Sequence, residues 1–320
     1  MGISARKVHS YDLYSGHAWY VPGIKGMFAL LGFFLLGTLL GSLVSKTMLL
    51  FMAENGDTQL YCYLIAYPVS FIPPMVHAAS QSRKNMGFFP GYSLDNKHFG
   101  PLGIGGAIVL AIVLAFASMF VLDLPNYGLM KLTYQSEFLT ECYNFFIENL
   151  GGVLHGPVWA SFLLAAIFAP VFEEWFFRGM VLRGLLTKMK PVWAIVISAL
   201  LFAFVHFNPW QGLYAFLIAL VMGFVYYKTG SLILTMLMHF VLNGTSLVVS
   251  NIESLKDYED VFWIEVMDKP FYFIVFALCC VVIAACLYAF SRIKLENPWG
   301  NIDRIPTADE IAAAETTPAE

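Results

Sequence analysis

Glu173 and Glu174 stand side by side, with Arg178 four residues on, inside a long apolar stretch that begins near Pro157. An ionised side chain near the middle of a bilayer costs roughly 2.5–3.5 kcal/mol on insertion scales, so acids in such a place usually mark function. Two further apolar stretches carry strong polar groups. His206 closes Phe202-Ala203-Phe204-Val205-His206, and His239 and Asn243 frame His239-Phe240-Val241-Leu242-Asn243. Residues four apart share a helix face, so Phe202 neighbours His206, His239 neighbours Asn243, and Glu174 faces Arg178 with the acid on the N-terminal side, the better order. These residue types can hydrolyse. A carboxylate in a low-dielectric site is a stronger base toward water. A His N–H and an Asn amide are apt donors to an oxyanion. Glu173, His206 and His239 could instead hold a divalent metal such as zinc, with one position left for water. The spacing leaves both mechanisms open. The chain has no His-Glu-x-x-His, no Gly-x-Ser-x-Gly and no Gly-x-Gly-Asp.

The elements that must position these groups follow from composition. Of 320 residues, 59% are hydrophobic and 12% charged, against about 25% charged in soluble domains. The expected fold class is an all-α polytopic membrane protein. A spanning helix needs about 20 mostly apolar residues, and eight candidate spans occur: 26–52, 60–77, 102–122, 158–186, 192–207, 212–227, 232–250 and 271–290. Pro68, Pro73 and Pro74 break the second, and the fifth and sixth are short and joined by Asn208-Pro209. Basic residues (Arg6, Lys7 and Lys25; Arg83, Lys84 and Lys97; Arg183, Lys188 and Lys190; Lys228; Arg292 and Lys294) alternate with acidic loops such as 137–148 and 253–260. Basic residues mark the cytoplasmic side, which puts both termini there. Trp193 and Tyr226, near span ends, read as interfacial anchors. The five cysteines form no Cys-x-x-Cys pair and read as small apolar residues. A net charge of −4 gives no sign of nucleic-acid binding.

Depth can be gauged from a rise of about 1.5 Å per residue. With Lys188, Pro191 and Lys228 at the membrane edge, Glu173, His206 and Asn243 each lie roughly 22 Å in, and His239 about 16 Å. Three helices thus place Glu, His, His and Asn in one layer. The chain divides into an N-terminal transmembrane region (1–156), a catalytic helical core of four helices (157–250), a loop and final span (251–300), and an Ala-, Glu- and Thr-rich cytoplasmic tail (301–320) expected to be disordered.

Glu-Glu-x-x-x-Arg, Phe-x-x-x-His and His-x-x-x-Asn, in that order on separate apolar segments, resemble the CPBP family. It includes the CAAX prenyl endopeptidases and the bacterial Abi proteins linked to bacteriocin processing and self-immunity. The resemblance implies an intramembrane endopeptidase acting on a peptide or membrane-protein substrate within the lipid bilayer, in a chain whose size fits a bacterial cytoplasmic (inner) membrane. By the same resemblance, Glu173 activates water, His206 helps to hold or deprotonate it, His239 and Asn243 stabilise the oxyanion, and Glu174 and Arg178 form a supporting ion pair. The family is often labelled metalloprotease, and a glutamate-dependent mechanism without metal is also argued for it. Two other classes compete: a non-catalytic binding or immunity protein of the same fold, and a proton-coupled secondary transporter using Glu173 and His239. Intact Glu173 and both histidines argue against the first, and the lack of a paired internal repeat against the second.

Overall fold

The structure, a computed structural model, describes residues 22–52, 57–81, 99–154, 157–186, 189–251, 269–293, 295–297 and 300–302. The expectations for Arg6, Lys7, Arg83, Lys84, Lys97, Lys188, Lys294, the loop 253–260 and the tail from 303 lie outside those residues. The helices are α1 (Ile24–Leu49), α2 (Thr58–Gln81), α3 (Gly103–Thr133), α4 (Glu137–Leu154), α5 (Val158–Leu186), α6 (Pro191–Phe204), α7 (Pro209–Thr229), α8 (Leu232–Asn251) and α9 (Pro270–Ser291). A small antiparallel hairpin, Leu295–Asn297 with Gly300–Ile302, follows α9, so the first two residues of the expected tail are in a strand. The protein is an all-α polytopic membrane protein.

Among the described residues, seven helices are long and apolar enough to cross a membrane: α1, α2, α3, α5, α7, α8 and α9. The expected count of eight is corrected at the fifth segment. Helix α6 has 14 residues, about 21 Å at 1.5 Å per residue, against a hydrocarbon core of about 30 Å. Its end is written in the sequence. Phe207 takes a left-handed backbone conformation (φ 54°). Asn208 then caps α7 by accepting from the Gln211 amide at 2.7 Å, with Pro209 at the first helical position. Helix α7 ends at Gly230, again left-handed at φ 63°.

Two other expectations change. The acidic stretch after α3, read as a loop, holds α4, and α3 itself runs on to Thr133. Helix α2 is continuous through its three prolines. Proline has no N–H to offer the carbonyl four residues back, so Pro74 leaves the Ser70 carbonyl without its helical donor. That carbonyl turns toward α1 at Gly37, where an added Cβ would come within 1.9 Å of it. One turn on, a Cβ at Gly41 would sit 2.4 Å from Ser70 Oγ. Gly37-x-x-x-Gly41 is the small-residue spacing that lets membrane helices touch backbone to backbone, and α1 and α2 form the most extensive helix pair among the described residues.

Helix α5 runs through the centre. Trp175, Phe176, Phe177 and Met180 are buried against Phe34 of α1, Phe71 of α2 and Phe202 of α6. A second cluster joins Leu114 of α3, Met222 of α7, Met238 of α8 and Phe290 of α9. Large apolar side chains such as Leu39, Leu43, Val109 and Leu278 face outward, as a lipid-facing surface requires. Tyr226, read as an interfacial anchor, is instead fully buried, and so is Arg183, read as one of the basic residues that mark the cytoplasmic side; the Arg183 guanidinium donates to the Tyr226 hydroxyl at 3.0 and 3.1 Å. A buried guanidinium must be hydrogen-bonded, and α7 supplies the acceptor. Trp193 is exposed, as an anchor would be.

Candidate active site

Helix α5 carries the two acids, and its ladder is not regular there. Residues Leu163–Phe168 and Trp175–Leu182 adopt wider π-type turns, which recur at functional sites because they re-aim side chains and free backbone groups. The second begins immediately after Glu174. Glu173 and Glu174, being adjacent, point in different directions. Glu173 lines a cavity of about 500 Å³, with its side chain 17% exposed. Glu174 turns into the protein and is fully buried.

Around Glu174 the polar groups are closely paired. Its Oε1 accepts from Arg178 Nη1 at 2.9 Å and meets His239 Nδ1 at 2.9 Å. Arg178 is 1% exposed, and its guanidinium carbon lies 4.6 Å from the centre of the Phe202 ring, a cation–π arrangement. A carboxylate already paired with Arg178 is an acceptor, so His239 donates from Nδ1. That leaves Nε2 facing the cavity, 4.0 Å from Glu173 Oε2.

His206 sits in the turn beyond α6. Its Nδ1 is 2.7 Å from the Phe202 carbonyl, which can only accept, so Nδ1 carries a proton and Nε2 is left free. The Asn208 amide donates to the His206 carbonyl at 2.9 Å and fixes the turn. The turn brings His206 to the wall of the cavity. The Phe202 ring stands edge-on to both imidazoles, with centroids 5.0 Å from His206 and 6.1 Å from His239. Asn243 Nδ2 donates to the Ala165 carbonyl at 2.7 Å, within the first π-type turn of α5. An amide nitrogen has two hydrogens, so one remains for another acceptor.

The structure therefore brings Glu173, His206, His239 and Asn243 to one cavity, and it joins Glu174 and Arg178 as an ion pair behind His239. The metal reading fits less well. Among the described residues, no three His, Cys, Asp or Glu side chains come together as a metal-binding group. Sequence reasoning missed one contributor. Tyr67 of α2 donates from its hydroxyl to Glu173 Oε1 at 2.5 Å. Helix α2 holds Tyr61, Tyr63 and Tyr67, and nothing in their spacing singles one out; only the packing of α2 on α5 does.

Comparison with known proteins finds one region of likeness. Residues 155–245 match the family described as Type II CAAX prenyl endopeptidase Rce1-like. No curated protein and no solved structure matches. The matched stretch holds Glu173, Glu174, Arg178, His206, His239 and Asn243, whereas α1 to α4 and α9 lie outside it. The helical core of the chain is thus Rce1-like, consistent with an intramembrane protease of the CPBP family.

Proposed function

We propose that the protein is a membrane-embedded endopeptidase in which Glu173 is the general base. The observation that carries the reading is the convergence of Glu173, His206, His239 and Asn243 on one cavity inside the helical bundle. A water held between Glu173 and His206 Nε2 meets two acceptors. As its oxygen attacks the peptide carbonyl carbon, one proton passes to Glu173. The carbonyl oxygen becomes an oxyanion, met by the spare Asn243 N–H and by His239 Nε2. An Nε2 donor requires the doubly protonated ring. The C–N bond then breaks, and the proton held by Glu173 goes to the leaving amine. The products are a carboxylic acid and an amine, and Glu173 is left as the carboxylate it was at the start.

No step needs a metal, since the residues present supply base and oxyanion donors themselves. The substrate that the family's description suggests is a prenylated protein tail ending in a CAAX box; an unmodified membrane-protein tail is the alternative of the same chemistry. The experiment is cleavage of a farnesylated CAAX-box peptide by the purified protein, with and without chelator. Wild type cleaves under both conditions, and Glu173→Gln does not cleave while keeping its thermal midpoint. Cleavage by Glu173→Gln at the wild-type rate would refute the assignment.

A further inference from the structure

Glu173 has two oxygens, and the fold treats them differently. Oε1 accepts the Tyr67 hydroxyl at 2.5 Å. Oε2 faces His239 Nε2 at 4.0 Å, too far for a hydrogen bond. Tyr67 reaches Glu173 from α2, 106 residues away in sequence and outside the stretch 155–245 that resembles the protease family. Its ring is fixed by Phe71, at 5.4 Å between centroids, and by Phe172, at 6.5 Å. Phe71 in turn stacks on Phe172 at 5.2 Å. Aromatic packing on both sides of the α2–α5 contact leaves the phenol little freedom to turn away. A hydrogen bond to an ionised acceptor is about twice as strong as a neutral one.

We infer that Tyr67 is a positioning residue for the base: by holding Oε1 it fixes the carboxylate plane and makes Oε2 the oxygen that takes the proton from water. The inference rests on the hydrolytic reading above and deepens it. Helices α1 and α2 are then part of the working site rather than a membrane anchor for it. Their contribution is built by the chain of contacts already described: Gly37 and Gly41 let α2 approach α1, α2 packs Phe71 on Phe172, and Phe71 and Phe172 hold Tyr67.

The test uses the full chain in detergent micelles or vesicles, with Tyr67→Phe as the main variant, since it removes one oxygen and keeps the ring. Two readouts separate positioning from mere structure. The first is the split of kcat and KM on the farnesylated CAAX-box peptide. Loss of the contact lowers kcat by about tenfold to a hundredfold, the scale of one hydrogen bond to a charged group, and leaves KM within about twofold. The second needs no turnover: modification of Glu173 by the apolar reagent dicyclohexylcarbodiimide, followed by peptide mass spectrometry, with Glu173→Gln as the blank. Tyr67→Phe uncovers Oε1 and speeds modification several-fold. Fluorotyrosine at position 67, a stronger donor of the same shape, slows it, and keeps the test decisive should Tyr67→Phe not fold. Modification of Glu173 at the wild-type rate in both variants overturns the proposal. Altered modification together with a wild-type protein that leaves the peptide intact upholds the contact and removes the hydrolytic reading instead.

Discussion

At the scale of single residues, the two adjacent acids have separate work. Glu173 meets the cavity, while Glu174 is sealed behind it between Arg178 and His239. The arrangement predicts opposite phenotypes. Glu173→Gln lowers peptide cleavage by at least about 10³-fold, within the range for losing a general base, and leaves the thermal midpoint unchanged; activity assay and thermal melting are read on the same preparation. Arg178→Leu acts on stability first. It removes one partner from a fully buried pair and strands the Glu174 carboxylate, a change that costs about 3–5 kcal/mol. It is read as a lower midpoint of unfolding in detergent, and an unchanged midpoint would mean that Glu174 is not charged in the folded protein. Glu174 with Arg178 and His239 with Asn243 were legible in the sequence because a helix brings residues four apart together, and Glu173 came with its neighbour; His206 shares the four-residue spacing with Phe202 but lies in the turn beyond α6. Tyr67 was not legible, because its partner lies in another helix and no local period encodes the rotation of α2 against α5.

At the scale of elements, the α1–α2 pair shows how backbone chemistry sets the wall of the cavity. The carbonyl of Ser70, released by Pro74, occupies the space that a side chain at residue 37 would need. Gly37→Leu therefore pushes α2 away from α1 and moves Tyr67 from Glu173. The expected outcome is a lower thermal midpoint together with a fall in kcat of about tenfold or more, the scale of losing the Tyr67 bond. Gly32→Leu on the same helix is the control. Nothing lies within 4 Å of a Cβ there, and it leaves both quantities at wild-type values. Helix α4 carries a helical signal under its charges. Leu139, Cys142, Tyr143, Phe146 and Ile147 recur at the helical period, and Tyr143 and Phe146 pack on Trp210 at the start of α7. The acids beside them, Glu141 and Glu148, give the stretch the charge of a loop and mask that period. The short α6 misled for a different reason: its apolar run continues through Val205 and Phe207, and only the left-handed turn at Phe207 shows where the helix stops.

At the scale of the whole molecule, helices differ in what they give the site. Among the described residues, those lining the cavity come from α1, α2, α5, α6 with its turn, α7 and α8, and none from α3, α4 or α9. Helix α9 packs on α3 and α7 and turns most of its surface outward, with Leu278 and Val281 well exposed. Helix α1 also faces outward along Leu39 and Leu43, yet its opposite face puts Thr38, Gly41, Ser42 and Ser45 into the cavity. The family likeness runs only from residue 155 to 245, so likeness by itself would class α1 and α9 together as surroundings. The cavity separates them. Ser42→Trp places an indole where substrate must lie, and lowers kcat/KM at least about tenfold, a loss of about 1.4 kcal/mol of transition-state binding. Leu278→Trp on α9 exchanges one lipid-facing apolar group for another and leaves kcat/KM within twofold. Both variants keep the wild-type thermal midpoint, so the difference is read in catalysis and not in folding. Equal activity in the two variants would mean that the route to Glu173 does not pass along α1.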